Sequence, residues 1–200
     1  MGGGESKSAP APSRPTVTVV SFKKQIRDKF SSVRVDRSQL KIAEAALKCA
    51  FVTSYDSSLA NDKFEGVSTT TAALTNFADI VVRKLGLELE SNKTTLKNNF
   101  LVCGAATKTD AKMEEFDFIE PGKGKDSSFT SMYGFLVGRQ QSAGRLVDIG
   151  LCVSRMSFKV RGNAKFNTEQ IKAIKNHYCK MKALESLKQE AVIETIVYIN

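Results

Sequence analysis

The chain has 200 residues, 42% of them hydrophobic and 26% charged, which is apolar material for one folded domain with a tail. No apolar run is long enough for a transmembrane helix, and no apolar segment of secretory-signal length follows the N-terminus. Thirty basic against 21 acidic residues leave a net charge of +9, an excess that attracts nucleic acid, anionic lipid or an acidic partner and says nothing about fold.

Residues 1–15 carry Gly2, Gly3, Gly4, Pro10, Pro12 and Pro15. That composition cannot bury a core, so 1–15 is expected to be a disordered leader. It opens MGGGES, which fits the acceptor pattern for N-myristoylation: Gly2 becomes the terminus once Met1 is removed, and Ser6 supplies the hydroxyl. An unmodified glycine-rich leader is the competing reading. One acyl chain holds a membrane only marginally, so attachment needs a second signal. From Met1 to Arg37 there are eight basic and three acidic residues, and Lys23, Lys24, Arg27 and Lys29 cluster within them.

From residue 16 to 200 a single, mainly α domain is expected, the alternative being α+β with a small sheet near the C-terminus. In 21–30, Phe22, Ile26 and Phe30 recur every four residues. In 38–51, Ser38 is placed to cap a helix striped by Leu40, Ala43, Leu47 and Phe51. In 70–86, Leu74, Phe77, Val81 and Leu85 line one side and Gly86 is a fitting stop. A weaker helix is expected over 94–106. Pro121, Gly122, Gly124 and Asp126 break regular structure at 120–128, the best boundary between two halves of the domain.

Beyond that break, 127–140 reads as helix through Phe129, Met132 and Leu136. Residues 145–160 fit a helix and two strands equally well. The segment 167–190 begins with Asn167 and Gln170 in capping-box spacing, and Ile171, Ile174, Tyr178, Met181 and Leu184 form its apolar stripe. Residues 191–200 are β-branched and could extend that helix or form a strand.

No catalytic constellation stands out, and no enzyme activity, cofactor, metal or small-molecule substrate is expected. His177, the one histidine, neighbours Cys179, but positions two apart on a helix do not face each other. Glu114, Glu115, Asp117 and Glu120 in MEEFDFIEP could pair as acid and base only in two different environments around one gap. The FDF alternation there reads better as a short edge strand or an anchor for the following loop. GKGKDSS and GRQQSAGR both miss the phosphate-loop spacing. Cys49, Cys103, Cys152 and Cys179 form no C-x-x-C pair; they sit in apolar or helical runs, as buried reduced thiols do, which fits a reducing compartment. Asn92-Lys93-Thr94 is formally a glycosylation sequon that should stay unmodified without a secretory signal.

A second basic zone runs from Arg155 to Lys188, with nine basic residues against two acidic. Its candidate contacts are Arg155, Lys159, Arg161, Lys165, Lys172, Lys175 and Lys182, and the last two with Lys172 are expected on one helix face. Phe158, Phe166 and Tyr178 are interleaved, and charge with aromatic faces suits single-stranded nucleic acid, although Tyr178 falls on the apolar stripe. These features imply a non-enzymatic assembly protein that self-associates and holds RNA, an anionic membrane or both, of the viral coat, nucleocapsid or matrix type. It would be cytoplasmic, at the cytoplasmic face of a membrane, or in a virion. The alternative is a cellular, myristoylated, membrane-anchored adaptor that binds a protein partner.

Overall fold

The computed structural model describes residues 32, 34–49, 52–122, 128–141, 144–161 and 165–187. The expectations for 1–15, 21–30 and 191–200, and with them Gly2, Lys23, Lys24, Arg27 and Lys29, lie outside these residues.

The protein is α+β, which corrects the expectation of a mainly α domain. The sheet is neither small nor C-terminal, so the alternative misplaced it as well. It spans β1 (Val52–Ser68), β2 (Lys112–Pro121), β3 (Ser128–Gln140) and β4 (Leu146–Val160), all antiparallel, in the order β1-β4-β3-β2. The helices are α1 (Arg37–Lys48), α2 (Thr71–Leu85), α3 (Glu90–Gly104), α4 (Thr168–Ala173) and α5 (Lys180–Leu187). A π-helical turn over Ile174–Cys179 joins the last two.

The helices fall into two layers, one on each face of the sheet. Side chains alternate across a strand, so each face takes every second residue. On β4, Val147, Ile149, Leu151 and Val153 enter the core under α2 and α3, with Met132 and Leu136 of β3 and Phe116 and Phe118 of β2. Met156 and Phe158 of β4 point the other way, with Phe129 of β3, into a second core under α1 and the α4–α5 unit. The helices contribute Leu74, Ala78, Val81, Leu96 and Phe100 to the first core, and Ala43, Ala46, Ala173, Ile174 and Tyr178 to the second.

The segment read as helix over 127–140 instead supplies the inner strand β3, Ser128–Gln140. Its residues from Phe129 to Gly138 are almost all buried, because helices cover both faces. The ambiguous segment 145–160 is one continuous strand rather than two. The break at 120–128 is where β2 ends and β3 begins, and these strands pair along their whole length, Lys112 opposite Gly138 through Pro121 opposite Phe129.

Local signals set several ends. Thr70 caps α2 by accepting from the N–H of Ala73, and Gly86 closes it at φ +66°, in the left-handed region glycine adopts without strain. Asn167 and Gln170 form the expected capping box. The cap of α1 is Asp36 rather than Ser38: its carboxylate accepts from the N–H groups of Ser38 and Gln39 and from the Ser38 hydroxyl. Those bonds, the hydroxyl's first, hold the Asp36 carboxyl below its ordinary value.

Candidate polyanion-binding face

The face built by α1 and the α4–α5 unit begins from a wide helical turn. A π-helix closes on the fifth residue rather than the fourth, so residues five apart stack. Ile174 and Cys179 are both buried, and Lys175 and Lys180 both reach the edge strand β2. Lys180 Nζ lies 2.9 Å from Glu115 Oε1, and Lys175 Nζ lies 3.9 Å from Asp117 Oδ2. Glu115 and Asp117 are two apart on a strand, so they present their carboxylates on one face. Lys180 also stands over the ring of Tyr133, 5.3 Å from its centroid. The edge-strand reading of MEEFDFIEP holds, and two of its carboxylates fasten the helical layer to the sheet.

The buried carboxylate of the same strand has a different task. Glu120 is 3% exposed and accepts from the N–H groups of Glu88 at 2.8 Å and Leu89 at 3.2 Å, and from Asn92 Nδ2 at 2.7 Å. Leu89, the N-cap of α3, has no side-chain oxygen of its own, so Glu120 caps that helix from β2. Asn92 also donates to the Ile119 carbonyl, so the amide of the formal sequon is engaged in holding α3 to β2.

His177 Nδ1 accepts the N–H of Asp36 at 3.1 Å, tying the π turn to the start of α1. Cys179, its neighbour in sequence, is buried on the other side against Ser131. Burial pushes the Cys179 thiol up to about 12. It does the same to Cys103, with the charge of Glu114 adding to the effect. The ordinary value is 9.0, so the folded state disfavours both thiolates. A pKa raised on folding gives stability that is complete below the unfolded value and lost as pH rises through the folded one. Stability should therefore fall from about pH 9 towards pH 12, by up to roughly 1.4 kcal/mol per pH unit for each thiol. Urea unfolding at pH 8, 9 and 10 checks it; the Cys103→Ala/Cys179→Ala protein should lose most of that slope, and an equal slope in both proteins would exclude the thiols as its source.

The expected contacts of the second basic zone divide. Arg161, Lys165 and Lys172 are exposed, as is Lys159, and Arg155 is half-buried. Lys175 is committed to Asp117, and Lys182 lies 3.1 Å from Glu185 and 5.7 Å from the Tyr178 ring centroid. Lys172, Lys175 and Lys182 thus do not form a shared face of three equivalent cations. The interleaved aromatics are packing groups: Phe158 is fully buried and stacks on Phe129 at 4.9 Å, Phe166 meets Phe129 edge-on at 5.6 Å, and Tyr178 is 8% exposed.

The basic stripe that sequence reading missed lies on α1. Arg37, Lys41 and Lys48 are exposed, with Arg34 just ahead of the helix. Their spacing of four and seven was visible, but only the docking of α1 beside α4 and the π turn adds them to the zone already suspected. Over 34–49 and 165–187 this layer carries nine basic and four acidic residues. Over 71–104 the opposite layer carries four and three.

Among the described residues no three His, Cys, Asp or Glu side chains converge as metal ligands do, and no helix is long and apolar enough to cross a membrane. No protein-family model matches the chain, and no curated protein is similar to it.

Proposed function

We propose that the protein is a non-enzymatic assembly protein that holds polyanions on the layer formed by α1 and the α4–α5 unit. One-sided charge supports this reading: nine basic against four acidic residues on one helical layer, four against three on the other. Self-association would multiply such faces, as in a viral coat, nucleocapsid or matrix protein. The acyl-acceptor pattern at Gly2 favours a second reading, an adaptor anchored at a membrane, in which the same layer would supply the second attachment signal.

Heparin, which has neither bases nor lipid, isolates the electrostatic step. Its affinity should fall steeply with salt. Arg37→Gln/Lys41→Gln should weaken binding several-fold, whereas Arg83→Gln/Lys84→Gln, the same loss of charge from α2, should change it little. Equal loss from the two double variants, or no binding at low salt, would reject the basic layer as the binding face.

A further inference from the structure

Resting on that proposal, we infer that the polyanion is the anionic face of a lipid bilayer, with α1 lying against the headgroups. Three observations favour a planar partner over a nucleic-acid strand. The aromatic rings that would stack on bases, Phe158, Phe166 and Tyr178, are packed in the second core. Lys180 pairs with Glu115 at 2.9 Å and Lys175 lies 3.9 Å from Asp117, whereas the exposed helix cations of this layer, Arg37, Lys41, Lys48 and Lys172, sit away from the sheet edge. The larger excess of positive over negative charge lies on one helical layer, and a flat anionic surface rewards a molecule with one basic side.

The helix α1 has the geometry for such a contact. At 3.6 residues per turn Arg37, Lys41 and Lys48 fall within about 40° of one another and span roughly 16 Å. The buried residues Ala43 and Ala46 lie roughly opposite, so the stripe points away from the sheet. Arg34 extends the stripe beyond the cap. Glu44, half-buried, falls on the same side of the helix, between Lys41 and Lys48 in sequence, and opposes the attraction.

Glu44 makes the inference testable by gain as well as by loss. The full-length chain, made without acyltransferase, is mixed with phosphatidylcholine vesicles with and without phosphatidylserine, and separately with a single-stranded oligouridylate. The expected result is binding to the serine-containing vesicles alone among the two lipids, in preference to the oligonucleotide. Arg37→Gln/Lys41→Gln/Lys48→Gln should cost roughly tenfold or more on those vesicles, and Glu44→Gln should tighten binding several-fold. A damaged fold cannot produce that gain. If the vesicles bind but neither variant changes affinity, α1 is not the contact. If the oligonucleotide binds and the vesicles do not, the membrane inference fails while polyanion binding stands. If neither they nor heparin binds, both fail.

Discussion

Gly138→Ala should destabilise the protein by about 3 kcal/mol or more, the largest effect expected of any single methyl group here. Gly138 lies on β3, fully buried, where the C-terminal turn of α3 crosses the sheet. A Cβ at this position would meet the Cys103 carbonyl oxygen and stand 2.6 Å from its carbon and 2.9 Å from Cys103 Cα. All three atoms are backbone, so no rotamer change relieves the contact; α3 must move off the sheet, with Leu96, Phe100 and Cys103 drawn from the core. Gly104→Ala is the control. There the added methyl meets the end of the Leu74 side chain, which can turn aside, and about 1–2 kcal/mol is expected. Urea unfolding of both variants decides the matter: a Gly138→Ala cost no larger than that of Gly104→Ala would show that α3 does not lie this close to β3.

Glu120→Ala should cost about 3 kcal/mol. The carboxylate, itself buried, satisfies two backbone N–H groups at the start of α3 and the Asn92 amide. Truncation leaves those part-buried donors without their acceptor, which is worse than never having made the bonds. It also removes a negative charge from the positive end of the helix. Glu120→Gln retains one acceptor oxygen and the side-chain volume, so roughly half the cost is expected. If alanine and glutamine cost the same, packing rather than hydrogen bonding holds this corner. Amide exchange gives an independent readout: protection at Glu88 and Leu89 should fall in Glu120→Ala before that of the α2 interior does.

Where a helix is amphipathic and carries its own ends, the residues spoke for themselves. Thr70, the stripe through Leu74, Val81 and Leu85, and Gly86 fix α2 without tertiary help, because each acts within a few residues along the chain. The Asn167–Gln170 box starts α4 for the same reason. Even the edge strand β2 is legible, since its phenylalanines alternate with carboxylates that face outwards to lysines.

What only the tertiary structure decided follows from covering the sheet on both faces. A strand buried on both sides loses the alternation that would identify it: in β3, Phe129, Met132, Tyr133, Phe135, Leu136 and Val137 are all buried, and every third or fourth apolar residue imitates a helix. The charges were countable but their availability was not, because Lys175 and Lys180 reach Asp117 and Glu115 across more than fifty residues of chain and through a π turn that shifts the helical register. The basic stripe of α1 joins the zone beyond Arg155 only because both elements pack on the same side of the sheet. Sequence thus determined the net charge, the capped helices and the edge strand, all local or additive properties. Tertiary packing decided which apolar runs are strands and which cations remain exposed, since both depend on what lies across the sheet rather than along the chain.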